Sequence, residues 1–304
     1  MLPKKLVDFF AHQSGIQDIA VAEREVVLTY ALKLLAESPQ AKRFAFKGGT
    51  CIRKLWLGPT GRFSMDLDFT AREPLEPEAA ILDLMELFNR EFYGITFQIE
   101  NDWRVTQDGL SFTTQPSYRH EWNDEGGFDL QVSLREEPTL DVLEKPQIAQ
   151  AYFRHLEFAP PDIASMNEHE ILAEKIRAAY QRAKVRDLHD LFVYSTKVFD
   201  RDLVRRLAMI KLWQARDTFE PEQFFARIQQ KDKYDWNDLQ RLVRGTTRID
   251  PSQIIAQVVS GYQFMEQLTV PEIALAGDGK AHRQNSLRDE LCESCNRKLR
   301  TGAF

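Results

Sequence analysis

The segment FKGGTCIRKLWLGPTGRFSMDLDFT, residues 46–70, has two adjacent glycines at the end of one short apolar run and a strictly alternating run after a turn. Its pattern predicts a strand over residues 43–46, then a helix over 49–57 that begins directly at the glycines, then a strand over 63–70. Side chains point alternately to the two faces of a strand. The polar residues of the second strand therefore share one face, and its apolar residues share the other.

Asp66 and Asp68 stand side by side on that polar face, together with Ser64. Mg²⁺ commonly binds through one or two carboxylates plus the phosphates of its substrate, so these two side chains are sufficient for a site with one or two ions. At Gly48 and Gly49 the missing side chains let a triphosphate approach the backbone, and the amides that follow offer hydrogen-bond donors. The segment therefore predicts an anion site next to a metal site.

Each part of this pattern also has a plainer explanation. Asp-x-Asp on an alternating strand commonly faces solvent, and paired glycines at a strand end commonly form a turn. The two occur together here, and Lys175 and the cluster RDLHD (186–190) follow them in the chain. The combination favours a nucleotide site.

Composition limits the class of protein. With 304 residues and 43% hydrophobic content, the chain can fill a core, and it contains only three cysteines. It has no apolar run of the roughly 18 residues that a membrane span needs and no signal-peptide pattern near residue 1, so we expect a cytoplasmic protein. The net charge of −6 argues against indiscriminate nucleic-acid binding, but residues 175–211 contain ten basic and four acidic residues, a segment able to hold phosphates.

Strand patterns dominate up to about residue 160, and helical patterns dominate beyond it. We therefore expect an α+β, bi-lobed protein with an N-terminal mixed sheet over residues 1–160 and a helical C-terminal lobe over 161–304. Ser165, with Glu168 three positions on, predicts a capping box at the first helix of the second lobe.

The motifs FKGGTCIRKLW, RFSMDLDF and ILAEKIRAAYQRAKVRDLHDLF resemble those of the AbiEii/AbiGii-type nucleotidyltransferase toxins of bacterial type IV toxin–antitoxin systems. The resemblance spans residues 46–192. It implies a polymerase beta-like nucleotidyltransferase core over 1–160, with an active site that the lobe over 161–304 completes. It also implies an Mg²⁺-dependent enzyme that transfers a nucleotide from an NTP to an RNA acceptor, the tRNA 3′ end, and so blocks translation. A cognate antitoxin protein is the implied partner.

Carried over by position, the resemblance implies that Asp66 and Asp68 bind the metal, that Lys175 contacts the triphosphate, and that Asp190 completes the catalytic set. Arg182 is a further candidate, with Arg186, for contact with the acceptor backbone. The residues implied to bind the nucleotide are Gly48, Gly49, Thr50, Ser64, Lys175, Arg186 and Asp187.

Geometry sets one condition on these roles. In a straight helix Lys175 and Asp190 would lie about 22 Å apart, too far to act on one triphosphate. The functional interpretation therefore requires a break, which we expect within QRAKVR (181–186). Without a break, Lys175 forms an ordinary surface pair.

A second question concerns the third carboxylate that many polymerase-like transferases use to activate the attacking hydroxyl. The aligned position holds Gln131, which cannot act as a general base. Either Asp129, on the same face two residues earlier, replaces it, or the reaction relies on metal positioning and electrostatics.

Other functions are compatible with the same residues: a nucleotidyltransferase acting on a small molecule or a protein hydroxyl, a catalytically silent nucleotide- or RNA-binding protein, and a metal-dependent nuclease. Cys292 and Cys295, with His282 nearby, suggest zinc, but a lone Cys-x-x-Cys lacks the second ligand pair of a structural zinc site.

Overall fold

A computed structural model describes residues 2–100 and 103–301. The chain forms two compact units that are not continuous in sequence. The first takes in the residues up to Pro138, Val142–Met166 and Arg241–Thr247. The second takes in Thr139–Asp141, Asn167–Gln240 and the residues from Arg248 onwards.

The first unit contains the β-strands. The strands are β1 (Phe44–Lys47), β2 (Asp66–Ala71), β3 (Arg90–Phe92), β4 (Ile95–Gln98), β5 (Arg104–Val105), β6 (Ser111–Thr114), β7 (Ser117–His120), β8 (Asn123–Gly127), β9 (Asp129–Ser133), β10 (Leu143–Lys145) and β11 (Ile163–Ser165). Seven of them form one sheet in the order β10-β11-β1-β2-β9-β6-β5, and β3-β4-β7-β8 form a second. The larger sheet is mixed, because β2 pairs antiparallel with β1 and parallel with β9.

Helices occur in both units. The α-helices are α1 (Lys4–Ser14), α2 (Ile19–Ala36), α3 (Gly48–Cys51), α4 (Pro77–Phe88), α5 (Glu168–Gln181), α6 (Val185–Tyr194), α7 (Arg201–Gln214), α8 (Pro221–Ile228), α9 (Trp236–Leu242), α10 (Pro251–Gly261), α11 (Val270–Asp278) and α12 (Asn285–Thr301). Single 3₁₀ turns lie at Pro39–Lys42, Gly58–Thr60, Phe153–His155, Lys231–Lys233 and Gln263–Glu266, and a π-helical turn, Ile52–Leu57, continues α3. The prediction of an α+β fold with a mixed sheet and a helical C-terminal region is confirmed. None of the helices in the described ranges has the length and apolar character of a membrane span.

Two local predictions are corrected. Ser165 does not cap a helix, because it lies in β11, where it pairs with Phe46 of β1. The cap of α5 is Asn167, whose side chain accepts a hydrogen bond from the amide of His169 at 3.0 Å. The predicted strand over 63–70 begins only at Asp66, where pairing with β9 begins. Local pattern did not reveal where ladder pairing starts.

Helix α2 is buried on most of its surface and carries a charged group into the core of the first unit. The Lys54 ammonium donates to the Glu25 carboxylate at 3.2 Å and to the Thr29 hydroxyl at 2.9 Å. The Arg53 Nε lies 3.4 Å from the second Glu25 oxygen. Burial lowers the pKa of Lys54, and the Glu25 charge opposes this effect. These contacts fix the turn Ile52–Leu57 against α2 and thereby hold the chain that follows the paired glycines.

Replacing Glu25 with Gln should lower the free energy of unfolding by about 3–5 kcal/mol, because two buried cations would lose their carboxylate. The control is Glu37→Gln, which removes an exposed pair with Lys33 and should cost less than about 0.5 kcal/mol. Urea denaturation of both variants is the measurement. Similar losses in the two variants would contradict a structural role for the buried cluster.

Candidate active site

The paired glycines are required by what lies next to them. Gly48 has φ +77°, in the left-handed region, and a Cβ at this position would collide with the Asp68 carboxylate. A Cβ at Gly49 would lie 2.6 Å from the Arg62 Nη2 and 2.9 Å from the Ser64 hydroxyl. Both contacts are shorter than side chains tolerate, so the turn must be built from residues that lack a Cβ.

Strand β2 brings Asp66 and Asp68 to this turn. Both side chains are partly exposed, and the apolar residues between and beyond them are buried. Lys47, the last residue of β1, pairs directly with Asp68 across the antiparallel ladder. Residues directly opposite on neighbouring strands share a face. A cation therefore flanks the carboxylate pair from the neighbouring strand.

The parallel neighbour β9 contributes two further polar residues to the same face. Asp129 pairs with Asp66, and Gln131 pairs with Asp68. The Asp129 carboxylate accepts a hydrogen bond from the Gln115 amide at 2.8 Å. In the described ranges, no three His, Cys, Asp or Glu side chains form a group able to hold a metal. Asp129 thus borders the carboxylate pair from the neighbouring strand.

Thr50 and Ser64 are both buried. The Thr50 hydroxyl donates a hydrogen bond to the backbone carbonyl of Asp66 and so links α3 to the start of β2. This contact gives Thr50 a role in positioning Asp66. Ser64 lies at the paired glycines, close to Gly49.

The residues of this first cluster fit Mg²⁺. The ion prefers oxygen ligands and is commonly held by one or two carboxylates, with substrate phosphates filling the remaining positions. Asp66 and Asp68 supply such a pair, and Gly48 has no side chain that would crowd the Asp68 carboxylate. Two side chains that sequence analysis did not single out, Lys47 and Arg62, adjoin the same place. The signals that could have found them are the Lys-Gly-Gly run and the arginine two positions before Ser64.

A second cluster lies in the second unit, where α5 ends at Gln181 and α6 begins at Val185. The predicted break within residues 181–186 is therefore confirmed. It turns the chain so that the Lys175 ammonium lies 3.0 Å from the Asp187 Oδ1 and 2.8 Å from the Asp190 Oδ2. Residues that a straight helix would separate by about 22 Å are in direct contact.

Arginines surround this second cluster. The Arg182 Nε lies 2.9 Å from the Asp187 Oδ2, and the Arg186 Nε lies 3.2 Å from an Asp238 oxygen. Burial by itself would raise the pKa of Asp187, but the charges of Lys175 and Arg182 outweigh it and hold that pKa well below the usual carboxyl value. Asp187 is consequently ionised throughout the physiological pH range.

Comparison with known proteins supports one family. The family model for the nucleotidyl transferase AbiEii toxin of type IV toxin–antitoxin systems matches residues 30–258. Among solved structures, the chain is similar to MenT4, a nucleotidyltransferase toxin from Mycobacterium tuberculosis H37Rv, with a TM-score of 0.81 and 24% identity. That match covers 97% of this chain and 100% of MenT4, and at this identity it concerns the fold. No curated protein gave a significant match.

The Gly48→Ala substitution should destabilise the protein more than Gly109→Ala. Both residues have positive φ, but a Cβ at Gly109 meets nothing within 4 Å. The shared backbone strain costs about 1–2 kcal/mol, and the collision with Asp68 should add about 1–3 kcal/mol. Urea denaturation of the two variants tests this, and equal losses would show that the turn at Gly48 has room for a side chain.

The Asp187→Asn substitution should give a stability difference from the wild type that depends on pH in a defined way. Because the folded-state pKa is lowered, the ionised carboxylate stabilises the fold fully above the unfolded pKa, and this stabilisation is lost as pH falls through the folded pKa. The difference in free energy of unfolding should be constant from about pH 7 to 5 and shrink below about pH 4. Denaturation at several pH values measures it. A steady change between pH 7 and 5 would contradict the assignment.

Proposed function

The chain belongs to the AbiEii family of nucleotidyl transferase toxins of type IV toxin–antitoxin systems, and on this basis we propose that it transfers a nucleotide from an NTP to RNA, at the tRNA 3′ end, and so blocks translation. The observation that carries the proposal is the carboxylate pair Asp66 and Asp68 on β2, beside a turn at Gly48 that has no room for a Cβ. A cognate antitoxin protein follows from membership of the family. The proposed place of action is the cytoplasm.

In the proposed reaction a 3′ hydroxyl oxygen of the RNA forms a bond to the α phosphorus of the NTP. The bond from that phosphorus to the bridging oxygen breaks, and pyrophosphate leaves. Asp66 and Asp68 would hold Mg²⁺, which when bound neutralises phosphate charge and favours ionisation of the attacking hydroxyl. Positioning and electrostatic stabilisation supply most of the catalysis in transfers of this kind.

Other residues of the chain have separate roles at the carboxylate pair and at the phosphates. Lys47 flanks Asp68 and limits the repulsion between the two carboxylates. Gly48 and Gly49 leave the backbone accessible to phosphate oxygens, and Ser64 supplies a hydroxyl at the same turn. Lys175 binds the β and γ phosphates through its ammonium, which Asp190 holds at 2.8 Å. Arg186 is the further nucleotide-binding residue.

The proton of the attacking hydroxyl needs an acceptor, and the register of β2 and β9 favours Asp129 for this role. Asp129 pairs with Asp66, whereas Gln131, which pairs with Asp68, has no basic group. Only one Asp129 oxygen accepts from Gln115 among the described residues, so the other is available to a proton. A carboxylate acting as general base contributes about 10²–10⁴-fold to the rate.

The test is incubation of the purified protein with deproteinised total RNA, Mg²⁺ and each labelled NTP in turn, followed by a denaturing gel. Label should enter the tRNA band with at least one NTP. Asp66→Asn and Asp68→Asn should abolish it, because each removes a metal-binding charge, and Asp129→Asn should slow it by about 10²-fold or more. The control is Asp124→Asn, an exposed aspartate on β8, which should label RNA at the wild-type rate.

Loss of RNA label in the control as well would show that the assay reports folding. Full activity of Asp66→Asn with unchanged metal dependence would contradict the proposed site. Absence of RNA label with all four NTPs, with pyrophosphate released only in the presence of a small molecule or a protein, would replace the RNA acceptor with that substrate.

A further inference from the structure

Arg182 occupies an unusual position in the second cluster. It lies in the connection between α5 and α6, and its side chain is 53% exposed. Its Nε donates to the Asp187 Oδ2 at 2.9 Å. Among the described residues its two terminal nitrogens have no hydrogen-bond partner. A guanidinium carries five N–H donors, so four of them remain for a ligand.

Asp187 is nearly fully buried and divides its two oxygens between two cations. Oδ1 accepts from the Lys175 ammonium at 3.0 Å, and Oδ2 accepts from Arg182. Because one carboxylate contacts both groups, Lys175 and Arg182 lie close enough for one phosphate chain to meet both. Asp190 provides the second negative charge, so the carboxylates hold both cations in fixed directions before any anion arrives.

The single hydrogen bond between Arg182 and Asp187 indicates that Arg182 does more than stabilise the connection between α5 and α6. Arginine–carboxylate pairs are frequently bidentate, with two parallel N–H···O bonds. Here Nε alone is engaged, and the two terminal nitrogens, which can hold a phosphate, belong to a side chain that is 53% exposed. A lysine at this position carries all three of its N–H donors on one nitrogen, so it cannot present two further nitrogens to a phosphate while another is held by Asp187.

We propose that Arg182 binds a phosphate group of the nucleotide, and that Asp187 is a positioning residue that orients Arg182 and Lys175 toward the same phosphate chain. The identity of the anion as a nucleotide rests on the proposed function. Asp187 itself does not contact the nucleotide in this arrangement, since both of its oxygens are taken by the cations. This assigns Asp187 a role different from the nucleotide contact that the resemblance implies.

Binding of inorganic tripolyphosphate, measured by calorimetry in EDTA, tests the role of Arg182 without any metal at Asp66 and Asp68. Arg182→Gln should raise Kd about tenfold, the effect of losing one charge-assisted contact. The control is Arg283→Gln, an exposed arginine of the same unit, which should bind as the wild type does. Wild-type affinity in Arg182→Gln would overturn the assignment. Equal weakening in the control would also overturn it, because general charge alone would then explain the binding.

Asp187→Asn tests the positioning role, because it should change kcat without weakening the affinity for tripolyphosphate. Loss of orientation should lower kcat at least about tenfold, while the removal of a negative charge should leave tripolyphosphate affinity unchanged or tighter. A direct nucleotide contact would instead raise KM for the NTP, and an unchanged kcat would equally overturn the role. Asp278→Asn is the matched control, because it makes the same change at another buried aspartate of this unit. Arg182→Lys, which keeps the positive charge, should still have a kcat below that of the wild type.

The two experiments still decide the proposal if one variant is unstable. Thermal unfolding shows whether Asp187→Asn folds, and if it does not, Arg182→Gln at its half-exposed position decides alone. Arg182-dependent binding of tripolyphosphate without any transfer to RNA would refute the proposed function and support the phosphate site. Normal RNA labelling by Arg182→Gln, with normal tripolyphosphate binding, would refute the phosphate site and leave the proposed function standing.

Discussion

The close approach of Gly48 to the Asp68 carboxylate is the constraint on which the arrangement of the first unit depends. Strand β1 must end, the chain must turn with positive φ, and α3 must begin, all within contact of a carboxylate on the next strand. Only a residue without a Cβ meets these conditions. The turn and the carboxylate pair are therefore a single structural feature, and neither can be shifted without the other.

A buried cluster of charged side chains holds the segment that follows this turn. Glu25, Arg53 and Lys54 are almost fully removed from solvent, and two cations share one carboxylate. Buried charges of this kind add little net stability compared with apolar packing, although breaking one is expensive. Their effect is to fix the position of the π-helical turn, Ile52–Leu57, and so the direction in which the chain leaves the paired glycines.

In the second unit, a network of ion pairs fixes the positions of the charged side chains. Lys175 and Arg182 meet Asp187 and Asp190, and every one of these groups has an opposite charge within 3.0 Å. Such a network places two carboxylates against a largely buried lysine and so compensates its charge. The ammonium and the guanidinium are thereby held in defined directions within the second unit.

The sequence alone determined the features that depend on local pattern: the α+β class, the order strand, glycine turn, helix and strand, and the common face of Asp66 and Asp68. It also predicted the break between α5 and α6, because distance along a helix is fixed by its rise per residue. Tertiary structure decided which distant groups meet. Asp129 stands beside Asp66 through the register of β9, Ser165 belongs to a strand because it pairs with β1, Thr50 bonds to the carbonyl of Asp66, and Arg182 reaches Asp187. Periodicity along the chain carries no information on register or on ion-pair partners, since both are set by packing between segments far apart in sequence.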